Sequence, residues 1–366
     1  MKKDNIRILF IGPHRPNRNP SQRFRMEQYF PYLVSHGFTC DYSWFISEKQ
    51  DAVLYSQGNH VGKFLLFVNA VRVRLLDVIK AGHYDIIFVQ REAFMTGSVF
   101  FERMFAQTKA KLVFDFDDAI WLNDTSAANK KLSWIKRPSK TGDIIKLADR
   151  VIAGNQFLAA YAKSFNSRVT VIPTVVDTQI FTPATFPNLT GTPVCIGWTG
   201  SFSTLKHFQL LLPVLQSLKE RHGNNITIRV ISDINSMPRE SWIDRVPWKA
   251  ESEVTDLQQI DIGVMPLPND EWSRGKCGFK AIQYMSLAIP CVVSPVGVNN
   301  EIVKHNSNGF FAGNDDEWME YLSMLITSVE LRKQLGMQAR KTIEQDYSLH
   351  SQLPVFLSLL HQVVEK

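Results

Sequence analysis

Residues 271–301, EWSRGKCGFKAIQYMSLAIPCVVSPVGVNNE, join a polar glycine loop, an amphipathic helix and a buried strand. Gly275 and Gly278 flank Lys276 and Cys277 directly after DIGVMPLP (261–268), a run that reads as a strand emerging into a loop. Apolar residues follow at Phe279, Ile282, Met285 and Leu287 with near-helical spacing, so a helix begins at the loop. Its first turn presents backbone N–H groups without intrahelical partners and the positive end of the helix dipole. Lys276 and Lys280 add cationic charge beside them, which suits an anion. Ala288-Ile289-Pro290 ends the helix and CVVSP (291–295) reads as a short strand.

The same alternation extends outward in both directions. Upstream, IRILFI (6–11) ends at Gly12 and feeds, through a basic loop, a helix that Ser21 is placed to cap. FTCDYSWF (38–45) is a second strand, residues 61–82 a long helix closed by Gly82, and YDIIFVQ (84–90) a third strand. KLVFDFDD, DRVIAG and VTVIP supply three more strands, separated by helical stretches such as NQFLAAYAKSF (155–165). Residues 174–193, TVVDTQIFTPATFPNLTGTP, lack any period and read as a linker. The alternation then restarts with VCIGWTG (194–200), a helix from about Thr204 through Lys219, ITIRVIS (226–232), a short piece near Trp248, a helix through Leu257 and DIGVMPL. Strands alternating with helices imply parallel, doubly wound sheets, whose ligands bind beyond the carboxyl ends of the strands.

The expected fold is therefore α/β, with two doubly wound Rossmann-like domains facing a cleft. A first domain spans 1–173, a linker 174–193, and a second domain 194–345, with a C-terminal helix, 346–366, packing back on the first domain. A chain of 366 residues fits two cores, and 45% hydrophobic with 21% charged residues is ordinary globular composition. Cys40, Cys195, Cys277 and Cys291 form no CxxC pair, which argues against disulfides and structural zinc. The amino end turns polar too soon for a signal peptide. The apolar run 63–76 is interrupted by two arginines, so the expected location is cytoplasmic.

A net charge of +6 points to anionic partners, but the basic residues are spread along the chain, so a phosphorylated metabolite accounts for it and nucleic acid is not expected. The cluster Lys130, Lys131, Trp134, Lys136, Arg137 and Lys140 has two readings, a solvated face, or contact with a phosphorylated acceptor or with anionic lipid headgroups, the last a peripheral contact at the inner face of a membrane. After the first strand come Gly12, His14, Arg15, Arg18, Arg23 and Arg25, and after the third Arg91 and Glu92. After the fourth, Asp115, Asp117 and Asp118 leave open a metal site, acceptor binding or loop ordering. In the second half Gly200 and Ser201 close a strand, and Lys206 follows near the next helix start, a second phosphate-facing position from the same sheet.

GWTGSFSTLKHF (197–208), DIGVMPL, and GKCGFKAIQYMSLAIPCVVSPVGVNNEIV (275–303) followed by NGF resemble the donor half of GT-B glycosyltransferases, specifically the retaining family-4 group. SQRFRMEQYFPYL (21–33), QRE (90–92), FDFDDAIW (114–121), residues 148–162 and VIPTVVDTQIF (171–181) resemble a bacterial branch acting in polysaccharide assembly. The resemblance implies a nucleotide-sugar donor as co-substrate, no further cofactor, no metal, and a saccharide or lipid-linked saccharide acceptor. It makes Lys206, Lys276 and Lys280 the candidate catalytic cations at the diphosphate. Gly200, Ser201, Trp248, Gly275, Cys277, Gly278, Gln283 and Glu301 become candidate nucleotide-sugar contacts, and Gly12, Arg15, Arg23, Arg25, Arg91, Glu92, Asp117 and Asp118 candidate acceptor-side residues. This sequence departs from the group where it usually carries two glutamates, here Gly275 and Gln283, and where an arginine often stands, here Ser201. Two rival readings are a sugar-nucleotide epimerase on the same scaffold and a non-catalytic nucleotide-sugar-binding protein.

Overall fold

A computed structural model describes residues 5–56, 58–122, 137–184, 193–234 and 237–365. The chain divides into two compact units, one of residues 1–174 with 353–366 and the other of residues 175–352.

The first unit holds a six-stranded parallel sheet in the order β2-β1-β3-β4-β5-β6, where β1 is Ile6–Ile11, β2 Phe38–Ser43, β3 Ile86–Gln90, β4 Lys111–Phe116, β5 Arg150–Ala153 and β6 Val169–Val171. Strands β3 and β4 are almost continuously apolar because helices cover both faces of a parallel sheet. Their register pairs Gln90 with Asp115, which brings the groups that follow both strands to one edge. The first helix, Pro20–Arg25, is capped by Asn19, not Ser21: the Asn19 carboxamide oxygen accepts from the Ser21 and Gln22 backbone N–H groups. Ser21 is thereby released for a longer-range bond. The long helix runs His60–Lys80 and passes into a 3-10 turn at Ala81–His83, so Gly82 does not end it. In the last helix, Leu349–Val364, Phe356 packs on Tyr29 at a ring separation of 4.5 Å and on Phe88 at 5.9 Å.

The second unit repeats the plan in the order β12-β11-β10-β7-β8-β9, where β7 is Val194–Thr199, β8 Ile226–Ser232, β9 Ile243–Pro247, β10 Ile262–Met265, β11 Cys291–Val293 and β12 Gly309–Phe311. Strand β12 escapes a reading of the sequence because it has three residues and no alternation. Its core gathers Ile196, Trp198, Phe208, Leu215, Val230 and Phe310 from sheet and helices. Of the expected linker, residues 185–192 lie outside the described residues. Val175, Val176 and Phe181 are buried within this second unit, Val176 N–H donates to the Tyr347 carbonyl, and the Arg340 guanidinium donates to the Thr178 and Phe181 carbonyls.

Candidate active site

In the second sheet the chain runs from β7 outward to β8 on one side and from β10 outward to β11 on the other. The reversal leaves a crevice beyond the carboxyl ends of β7 and β10, the usual ligand position in such sheets. Two loops, 200–204 and 266–278, reach that edge.

Gly200 follows β7 directly, and its N–H donates to the Ile231 carbonyl at 3.1 Å. A Cβ there would come within 2.6 Å of the Trp198 ring, so the glycine is needed for packing at least as much as for a ligand. Ser201, exposed, opens a 3-10 turn, Phe202–Thr204. The helix that follows is Leu205–Gln209 only; the chain turns at Leu210–Leu211 and a second helix, Leu212–His222, carries Lys219. The single helix expected through Lys219 is thus two, because Pro213 in the second helix has no N–H to continue the first. Lys219 donates to the Gly223 and Ile226 carbonyls and is a structural cap.

After β10 the loop forms a short helix, Glu271–Arg274, which the sequence reading missed; Asp270 caps it by accepting from Ser273 N–H at 2.7 Å. Gly275 closes that turn with ordinary backbone (φ −76°). Gly278 caps the helix Phe279–Ser286 with φ +66°, a conformation costly for other residues, and a Cβ there would strike Ile302. Tyr284 of that helix accepts at its hydroxyl from Thr199 N–H at 2.9 Å, tying the helix to the end of β7. Lys276 lies 4.7 Å over the Trp272 ring and Lys280 5.4 Å over the Trp198 ring. Cys277 is buried, and Glu301, exposed, sits in the helix Asn299–Ile302 beyond β11.

The charges of the three candidate lysines act on a residue that sequence reasoning passed over. His207 is 4% exposed, and among the described residues its Nδ1 has no hydrogen-bond partner. Burial first, then the positive charges of Lys280, Lys206 and Lys276, push its imidazole down to about 4, with Asp270 opposing. Asp270 stays below the usual carboxylate range: burial works against its charge, but the Ser273 hydrogen bonds and nearby positive charge, Lys206 included, outweigh it. The edge of the sheet is therefore a cationic field around a neutral, buried ring, with an unpartnered nitrogen inside it.

This has a testable consequence for stability. Between an unfolded value of about 6.5 and a folded value of about 4, the unfolded chain carries a proton at His207 that the folded chain lacks, so stability falls as pH falls through that window. Denaturant unfolding measured from pH 7 to pH 4 is expected to show the loss, and His207→Gln to flatten it. An equal slope in parent and variant would place the titration elsewhere.

Gln283 and Trp248 meet in a way the spacing does not reveal. Glu253, buried in the helix Glu253–Leu257, accepts at Oε1 from Gln283 Nε2 at 3.1 Å and from Trp248 Nε1 at 3.2 Å. Gln283 is itself buried, so one buried carboxylate fixes the orientation of its amide and of the indole.

In the first unit the charged groups beyond the strands largely pair with one another. Arg25 donates to the Asp115 carboxylate and to the Ile172 carbonyl, and both partners of the ion pair are buried, at 4% and 1% exposure. Arg91 takes φ +62° at the end of β3 and donates from Nε to Asp117 at 2.7 Å, with Asp118 3.4 Å from its other nitrogen. Ser21 Oγ donates to Asp117 at 2.6 Å. Burial opposes the Asp117 charge, but Arg91, Arg25 and Ser21 hold its carboxyl below the usual range. Asp115 and Asp117 are thus spent on arginines and a serine, and among the described residues no group of three or more histidine, cysteine or acidic side chains is arranged to hold a metal.

Other expected acceptor-side residues are similarly engaged. Arg15 donates to Asp51 at 2.7 Å and Arg18 pairs with the same carboxylate. Gly12 accepts from buried Arg74 at 2.8 Å, and the Arg23 guanidinium lies 4.9 Å over the Phe24 ring. Glu92 pairs at 2.7 Å with Lys140, which also donates to the Phe94 and Thr96 carbonyls. Lys140 is consequently a buried structural cation, belonging to neither reading of its basic cluster, and Arg137 pairs with Asp143. Lys130, Lys131, Trp134 and Lys136 lie outside the described residues.

Residues 193–328 match the family model described as Glycosyl transferases group 1. Solved structures resemble the whole chain. A glycosyltransferase from Rickettsia africae aligns with a TM-score of 0.69 over 100% of both chains at 16% identity. The fold is GT-B. A sucrose-phosphate synthase from Thermosynechococcus elongatus aligns with a TM-score of 0.71 at 12% identity over 98% of this chain and 99% of that one. Anabaena HepE, solved with UDP and glucose, aligns with a TM-score of 0.66 at 14% identity over 96% and 99%. No curated protein matches the chain in sequence. In this GT-B chain the stretch matched by the family model contains Gly200, Lys206, His207, Trp248, Glu253, Lys276, Lys280, Gln283 and Glu301.

Proposed function

We propose that the protein transfers a sugar from a nucleotide-sugar donor to a glycan or lipid-linked acceptor, with retention of configuration, in polysaccharide biosynthesis. The observation that carries this reading is that Lys206, Lys276 and Lys280 lie on the loops and helix starts beyond β7 and β10, with Lys280 5.4 Å over the Trp198 ring of β7, and that the charges of all three act on His207. Three cations beside the start of the helix Phe279–Ser286 suit the negative charge that grows on a departing diphosphate, so the glycosidic bond loosens as the charge is met. Fixed charge of this kind is already in place when the reaction begins. Neutral His207 lies buried beside these cations without adding to their charge, and Glu253 fixes the amide of buried Gln283. With no carboxylate at Gly275, retention is assigned to a departing phosphate oxygen that takes the acceptor proton on the face it leaves.

Incubation with a panel of nucleotide sugars, headed by UDP-hexoses because HepE was solved with UDP and glucose, tests the reading. Slow hydrolysis without acceptor, and transfer with one, is expected. Conversion of one nucleotide sugar into its epimer without acceptor would identify the rival enzyme, and binding without turnover the non-catalytic reading. Activity is also expected to survive chelation, since lysines and a helix terminus supply the charge a divalent ion would bring. Turnover lost with EDTA and restored by manganese or magnesium would overturn that expectation.

A further inference from the structure

The helix His60–Lys80 buries Leu66, Ala70, Arg74 and Asp77 and leaves most of its large apolar side chains exposed. Its buried face carries Arg74 and Asp77, joined at 2.7 Å. Arg74 also donates to the Ala93 carbonyl at 2.7 Å, the Gly12 carbonyl at 2.8 Å and Ser43 Oγ at 2.9 Å. Rotating the helix would break this buried network, so its orientation is specified. The outward face holds Val61 (74% exposed), Phe64 (65%), Leu65 (61%) and Ile79 (75%), with Val68, Leu75 and Leu76 also exposed. At about 100° per residue, positions 61, 65, 68, 72, 75 and 79 fall on one stripe. The neighbouring helix, Phe100–Ala106, adds exposed Phe100 and Arg103.

Contiguous apolar surface of this kind marks a place where something docks. Charge selects the occupant. The acid of the helix, Asp77, is buried against Arg74, so the exposed charges on the helix are basic, Arg72 within the stripe and Lys80 at its end. A second copy of the chain, docked through a two-fold axis on this stripe, would bring these cations together without an acid of the helix to balance them. The helix is about 31 Å long from its 21 residues and the usual rise, and it does not qualify as a membrane span. We propose that this face lies flat in the headgroup region of an anionic lipid bilayer, its apolar stripe immersed and Arg72 and Lys80 reaching the phosphates. The docking is independent of the transfer reading, because vesicle binding requires no turnover.

The test is co-sedimentation of the full chain with phosphatidylcholine vesicles, with and without phosphatidylglycerol, together with light scattering for oligomeric state. The parent is expected to sediment with the anionic vesicles. Val61→Glu, Leu65→Glu, Val68→Glu and Ile79→Glu combined are expected to weaken partitioning by at least about tenfold while circular dichroism stays unchanged. Arg72→Glu, a single exposed change that keeps the test informative if the fourfold variant misfolds, is expected to weaken it several-fold, as is raised salt. Three outcomes overturn the proposal: a parent that does not sediment with anionic vesicles, an Arg72→Glu variant that sediments like the parent, or a dimer that the fourfold variant dissolves in the absence of vesicle binding.

Discussion

Lys206→Ala is expected to lower kcat/KM for sugar transfer by about 10- to 150-fold, the equivalent of about 1.5–3 kcal/mol for a hydrogen bond to a charged group. Lys206 is exposed, it lies in the helix directly after the loop that follows β7, and its charge is felt at His207 together with those of Lys276 and Lys280. A contact that strengthens as the diphosphate departs lowers kcat more than it raises KM. Lys206→Arg is expected to recover part of the loss by keeping the charge with a different reach. The suitable control is Lys333, exposed on the helix Val329–Thr342, and not Lys219, whose ammonium caps two carbonyls. A folded Lys206→Ala variant that transfers at the parental rate would remove the diphosphate from this edge of the sheet.

Arg25→Ala is expected to lower the free energy of unfolding by about 3–5 kcal/mol, because it strands the Asp115 carboxylate in the core of the first unit. Burial already pushes Asp115 up against the opposing pull of Arg25. Without the arginine the folded chain holds a proton that the unfolded chain releases above about 4, so the variant should regain stability as pH falls toward that value. Arg25→Met with Asp115→Leu, which removes both charges, is expected to be milder than Arg25→Ala alone. Denaturant titrations of the three proteins at two pH values read this out. A single variant as stable as the parent would show that the pair carries no structural load and return both residues to the list of ligand contacts.

Much of the architecture is legible in one dimension because parallel strands buried on both faces must read as short apolar runs, and crossovers between them must be helices. IRILFI, IIFVQ, KLVFDF and IGVM announce themselves in that way, and GKCGFK marks a glycine loop before a helix. The lysines at 206, 276 and 280 are candidates for the same reason: they stand in the segments that follow strands β7 and β10, beyond whose ends doubly wound sheets hold ligands.

What the chain order conceals is pairing. Nothing in the spacing of Arg25 and Asp115, or of Arg91 and Asp117, says that they meet; the β3–β4 register brings the second pair together and the packing of the helix Pro20–Arg25 the first, and expected ligand contacts become ion pairs. Glu253 becomes a partner of Gln283 only because the helices Glu253–Leu257 and Phe279–Ser286 come together in the fold. His207 looks like an ordinary helix residue until burial removes its water and the charges of its neighbour Lys206 and of Lys276 and Lys280, more than sixty residues away in the chain, act on it. The outward stripe of the His60–Lys80 helix is the clearest case. Its apolar period was present in the sequence, but which face turns inward was decided by the hydrogen bonds of Arg74, since a buried guanidinium must satisfy its donors while an apolar side chain tolerates water at modest cost.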